Sequence, residues 1–213
     1  MTRTAGRLDR AAVDAAFGRR VAAGTALADD ADGVAAACHA MAVRFHGGGR
    51  LLVFGNGGAA TDAAHLAVEF IHPVIVGKRA LPALSLTNDA AFFSGLAAAG
   101  GFADTFAAQV RLLARPQDIA LGISASGRCE NVAAGLAAAE ALGLLTVALL
   151  GDGTVGGGPD IAASPGVAHV IQARSSDPRI VKEVHVTVYH VLWELVHVFL
   201  EQPGLLGPEV VRT

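Results

Sequence analysis

Apolar residues fall along the chain in two rhythms. Leu51 to Phe54, Ala83 to Leu86, Ile119 to Ile123, Leu145 to Leu150 and Val167 to Ile171 are short, largely apolar runs, and glycines or polar turns bound most of them. Runs without a polar alternate face predict strands buried on both sides, as in a parallel sheet. Between them, apolar positions recur at helical spacing over Ala60 to Ile71, Asp89 to Ala98, Phe102 to Ala114, Glu130 to Leu142 and Arg179 to Leu200. Two Ala-rich helices, Arg7 to Leu27 and Ala31 to Phe45, precede the first strand, and Gly47-Gly48-Gly49 ends the second. Strands alternating with helices predict right-handed crossovers. The expected fold is α/β: a five-stranded, doubly wound parallel sheet in three layers, with two additional N-terminal helices. No linker or internal repeat interrupts it, so residues 1–213 read as one domain.

Composition narrows the classes of function. The chain is 53% hydrophobic and 16% charged, with a mean hydropathy of +0.48, which excludes a disordered, solvating protein. The longest oily stretch, Val184 to Leu200, is broken by His185, His190, Glu194 and His197, short of the roughly 18 apolar residues a membrane helix needs. A net charge of −3 without a basic stripe gives nucleic acid no footprint. Cys38 and Cys129 lack metal-like spacing and read as reduced thiols, with one disulfide left open. The charged N-terminal stretch does not read as a signal peptide, so a cytoplasmic location is expected. The charge fraction is low against about 25% for globular domains. Either the surface is small and neutral, or part of it is buried against another copy.

Four segments carry candidate chemistry. Gly55-Asn56-Gly57-Gly58 follows a strand and opens a helix, where free N–H groups and the helix dipole favour an anion. Ser124-Ala125-Ser126-Gly127 is placed the same way. Each also reads as an ordinary turn or N-cap, but two such loops at one sheet edge point to phosphate. Neither fits a dinucleotide or nucleoside triphosphate fingerprint. His65 and Glu69 are four residues apart on one helix face, a pair suited to metal binding, acid–base work or a plain surface hydrogen bond. The last helix carries Lys182, Glu183, His185, His190, Glu194 and His197. Glu183, His190, Glu194 and His197 fall near one stripe, whereas His185 points elsewhere; His185 and His197 are expected to be satisfied interface histidines.

This series of motifs, strand–Gly-Asn-Gly-Gly–helix–His-x-x-x-Glu, then Ile123-Ser124-Ala125-Ser126-Gly127 with Asn131-Val132, then a His-bearing final helix, resembles the sugar isomerase (SIS) domain. More narrowly, it resembles the phosphoheptose isomerase branch, over almost the whole chain; Asp62, Ala63, His65, Ala67 and Glu69 follow that branch's helix pattern. The resemblance implies a flavodoxin-like sheet and a homotetramer (or dimer) with active sites shared between subunits. It implies a phosphorylated sugar as substrate, with Asn56, Gly57, Gly58, Ser124, Ser126, Gly127, Arg128 and Lys182 binding it. It also implies proton transfer through an enediol(ate), with Glu69 as base and His190 as acid. In zinc-binding members, the metal would be held by His65, Glu69, His190 and a glutamine.

The departures are as specific as the matches. Ala59 stands where the family has a serine, Ala125 replaces a threonine, and Arg128-Cys129 replaces Asn-Ser. Arg128 offsets these losses if it contacts the phosphate. Ala98-Ala99 stands in place of an Asn-Asp, and Lys182 occupies the metal-ligand glutamine's position. A protonated lysine is no zinc ligand. Either Lys182 replaces the metal electrostatically, or His65, Glu69 and His190 bind zinc with water. The whole chain is then an isomerase or a non-catalytic SIS module that binds a phosphosugar or a partner.

Overall fold

The computed structural model describes residues 9–152 and 156–207. Two helices lead the chain, α1 (Arg10–Ala28) and α2 (Ala31–His46), followed by β1 (Leu51–Gly55), α3 (Gly58–Ile71), β2 (Ala83–Ser85), α4 (Ala90–Gly100) and α5 (Thr105–Leu113). After these come β3 (Ile119–Ser124), α6 (Glu130–Ala141), β4 (Leu145–Gly151), β5 (His169–Ala173) and α7 (Pro178–Glu201). The five strands form one parallel sheet in the order β2-β1-β3-β4-β5. This is the doubly wound order whose chain reversal lies between β1 and β3, the place where such sheets bind ligands.

Alternate residues of each strand feed two cores. Leu51, Val53, Ile119, Leu121, Val147 and Leu149 pack against α2, α3 and α7. Leu52, Phe54, Ala120 and Ala148 pack against α5 and α6. The central strands β1, β3 and β4 are buried throughout, which is why they read as unbroken apolar runs. Each large side chain so buried contributes about 1.5–3 kcal/mol. The three-layer expectation therefore holds.

Differences from the sequence reading sit at element ends. The fifth strand is displaced to His169–Ala173, because this edge strand includes the partly buried polar residues His169 and Gln172 and an apolar run does not mark it. Asp89 caps α4 rather than joining it, its Oδ1 accepting from Phe92 N at 2.8 Å. The helix expected from Phe102 opens as a short 3₁₀ turn, Phe102–Asp104, before α5. The first helix begins at Arg10 behind an Asp9 cap. Arg7 and Leu8, expected within it, lie outside the described residues, as do 153–155 of the loop expected over Gly151 to Gly158. No helix of the described residues is long and apolar enough to cross a membrane.

Candidate active site

The Gly-Asn-Gly-Gly loop turns sharply between β1 and α3. Gly57 has φ +55°, a left-handed conformation that glycine adopts freely. At Gly55 a Cβ would lie 2.8 Å from both Ile123 O and Ala59 Cβ, so β1, β3 and α3 meet there without room for a side chain. The loop is tied to the second loop by side chains. Asn56 Nδ2 donates to Asn131 Oδ1 at 2.7 Å, and Asn131 Nδ2 donates back to Asn56 Oδ1 at 3.0 Å. Asn131 is buried at the start of α6, so this reciprocal pair clamps the two loops across the switch point.

Between them lies a cavity of about 380 Å³, lined by Asn56, Ala59, Ser124, Ser126, Cys129 and Pro178 among others. Ser124 Oγ is buried and has no hydrogen-bond partner among the described residues, which is costly unless a ligand or water completes it. Ser126 Oγ accepts from Arg128 N at 3.3 Å. Gly127, at φ +66°, closes the turn by donating to Ser124 O at 3.2 Å. The Arg128 side chain donates to Asp160 at 3.2 Å.

Further along α3, the three residues expected to carry the chemistry converge. Nitrogen or oxygen atoms of His65, Glu69 and His190 lie within 4.8 Å of one another. His65 Nε2 is 3.0 Å from Glu69 Oε1. A carboxylate only accepts, so Nε2 carries the proton. His65 Nδ1 is 2.7 Å from the Tyr189 hydroxyl. His190 Nδ1 donates to Val186 O at 2.7 Å, which leaves its Nε2 lone pair available when the ring is neutral. Glu69 is mostly buried, with 12% of its side chain exposed, whereas His65 keeps 46%.

Lys182 lies across the start of α3. Its ammonium donates to Gly58 O (2.9 Å), Thr61 Oγ1 (3.1 Å) and Asp62 Oδ1 (2.6 Å), using its three donors. The expected stripe on α7 divides: Glu183 pairs with Arg20 at 2.7 Å, His190 faces the cluster, and His197 is buried between Trp193 O and Arg79 O at 2.8 and 2.9 Å. Both partners are carbonyl oxygens, so a neutral His197 ring donates to one of them and turns its other nitrogen toward the second. His185 Nε2, by contrast, is buried without a partner among the described residues, and burial lowers its pKa.

Sequence reasoning missed Tyr189. It is the single tyrosine of the chain, 1% exposed, and burial with the charges of Asp62 and Glu69 pushes its hydroxyl up to about 12. The signal was present: a tyrosine in an apolar helix stripe needs a polar partner.

The candidate site thus combines two glycine- and serine-bearing loops at the switch point of an α/β fold with a His–Glu–His cluster carried by α3 and α7. The SIS domain family matches residues 20–151, and the chain belongs to that family. Within it, the chain is 40% identical to the phosphoheptose isomerase of Solidesulfovibrio magneticus, over 84% of this chain and 85% of that one. It is also 40% identical to the phosphoheptose isomerase of Desulfovibrio desulfuricans, over 76% and 74%. The structure of phosphoheptose isomerase from Neisseria gonorrhoeae superposes with a TM-score of 0.77 at 27% identity, covering 88% of this chain and 97% of that chain.

Proposed function

We propose that the chain is an aldose–ketose isomerase acting through an enediol(ate) on sedoheptulose 7-phosphate or a related phosphosugar. The observation that carries this reading is the convergence of His65, Glu69 and His190 from α3 and α7, in a chain 40% identical to named phosphoheptose isomerases. Glu69, shielded from water on most of its surface, removes the proton from the carbon beside the carbonyl. His190, protonated at Nε2, gives its proton to the carbonyl oxygen; Glu69 then returns its proton to the former carbonyl carbon while the hydroxyl on the adjacent carbon gives its proton back to His190 and becomes the new carbonyl. Asn56 to Gly58, Ser124 and Ser126 to Arg128 hold the phosphate at the loops. At 1.5 Å per residue, Gly58 and His65 are about 10 Å apart along α3, a separation suited to a sugar with its phosphate at the far end from the reacting carbons.

The donor set fits zinc. Two imidazoles and a carboxylate within 4.8 Å match a catalytic site that keeps one position open. When zinc is bound, His65, Glu69 and His190 would hold it, and its Lewis-acid stabilisation of the developing oxyanion would take the place of the proton that His190 Nε2 otherwise gives. Lys182 is read as a tether between α7 and α3, since Asp62 already balances its charge. The cluster supports the zinc reading over replacement of the metal by Lys182.

Copies of the chain associate, in this reading, in the cytoplasm. Phe17 and Val21 on α1, and Val68, Ile71 and Val74 to Val76 around the end of α3, are exposed apolar side chains that a partner copy would cover. The test of function is conversion of sedoheptulose 7-phosphate by the purified protein. Turnover to the aldose is expected. Saturable binding without turnover would overturn the enzyme reading in favour of a phosphosugar-binding SIS module.

A further inference from the structure

Among the described residues, Tyr189 makes one side-chain hydrogen bond, from its buried hydroxyl to His65 Nδ1 at 2.7 Å. Its ring also stands edge-on to the His65 ring at 5.4 Å and tilted against the His190 ring at 4.8 Å. It therefore touches both imidazoles of the cluster, although it supplies none of the cluster's ligand atoms. We propose that Tyr189 is a positioning residue that fixes the orientation of the His65 ring and keeps Nε2 turned toward Glu69.

The chemistry of the three groups sets the direction of each bond. Glu69 accepts from Nε2–H, so in the neutral ring Nδ1 carries the lone pair and the Tyr189 hydroxyl must donate to it. A hydroxyl can also accept. If Nε2 gives up its proton to bind a cation, the proton moves to Nδ1, and the same hydroxyl receives Nδ1–H without moving. A carbonyl at this position could serve only the second state. The anchor matters because His65 is nearly half exposed: with Glu69 as its one remaining hydrogen-bond partner among the described residues, the ring would be free to swing out of register. Glu69, in turn, is oriented by the imidazole that donates to it. The bond of His65 to Tyr189 crosses from α3 to α7, so it also fixes the cluster's two helices relative to each other at the point where chemistry is proposed.

This inference rests on the reading of His65, Glu69 and His190 as a working cluster, but its test requires no sugar. Tyr189→Phe removes the hydroxyl alone and keeps the buried ring. Two measurements are made on wild type and variant: zinc affinity by competition with a chelator, and ¹⁵N NMR of the His65 imidazole in metal-free protein. In wild type, His65 is expected to show one tautomer, protonated at Nε2. In the variant, zinc affinity is expected to fall about 10- to 100-fold, the range for loss of a partner that orients a metal-bound histidine. The His65 signals should average between orientations, while the thermal midpoint stays near wild type. A wild-type His65 protonated at Nδ1 would overturn the proposal even if the variant failed to fold. Unchanged His65 signals in the variant would overturn it too, and if wild type holds no zinc those signals alone decide. Lack of turnover on sedoheptulose 7-phosphate would sink the isomerase reading and leave this one standing.

Discussion

The two ends of β3 treat their polar groups in opposite ways. At the amino end, Asp118 is buried and its carboxylate is saturated: it accepts from Arg50 N at 2.8 Å, Arg50 Nη2 at 2.7 Å and Arg115 N at 3.0 Å. Arg50 Nη2 donates in addition to Leu113 O at 2.8 Å. Burial opposes ionisation of Asp118, but the Arg50 guanidinium and the backbone N–H groups outweigh it and hold the carboxyl below its usual range. At the carboxyl end, six residues along the same strand, Ser124 Oγ is equally buried and has no partner among the described residues. In the His–Glu–His cluster, His190 spends Nδ1 on Val186 O and its Nε2 has no hydrogen-bond partner among the described residues. A group closed on every side stabilises the fold. A buried group left open lowers stability and is retained where a ligand completes it.

Two substitutions break that comparison if it is wrong. Asp118→Asn should give the larger effect, lowering stability by about 2–3 kcal/mol at neutral pH, discounted from a fully buried pair because Arg50 is partly exposed. Its folded pKa is depressed, so the stability it supplies is fully present above its unfolded value of about 3.9 and is lost as pH falls through the folded value. The gap between wild type and variant in denaturant melts should therefore shrink below about pH 4, with catalysis by the folded fraction unchanged. Ser124→Ala should act in the other sense. It removes an unsatisfied hydroxyl, so stability should hold or rise by up to about 1 kcal/mol. KM for the phosphosugar should rise, about tenfold for one lost hydrogen bond of 1.4 kcal/mol. A Ser124→Ala variant that melts several degrees lower with unchanged KM would show that the hydroxyl is a structural group.

Much of the fold was legible because buried parallel strands leave apolar runs, and Leu51 to Phe54 and Leu145 to Leu150 carry no polar alternation to confuse them. The edge strand was displaced because His169 and Gln172 dilute that signal. The cluster was legible in part: His65 and Glu69 share a local helical period, and His190 came from the family resemblance. What could not be read were the ties that cross the chain. Asn56 meets Asn131 across 75 positions, and Lys182 meets Asp62 across 120. Periodicity within one helix says nothing of which residue another helix brings opposite. For the same reason the sequence reading did not single out Tyr189, whose partner His65 lies on another helix. The expected stripe on α7 divided because the segment at Arg79 covers its far end and buries His197.

The most direct test of the central claim is solvent-hydrogen exchange at the carbon beside the carbonyl of sedoheptulose 7-phosphate, followed in heavy water. Wild type should incorporate deuterium, and Glu69→Gln should slow that incorporation by about 10²- to 10⁴-fold with little change in thermal midpoint. Exchange at the wild-type rate in the Glu69→Gln protein would contradict the account.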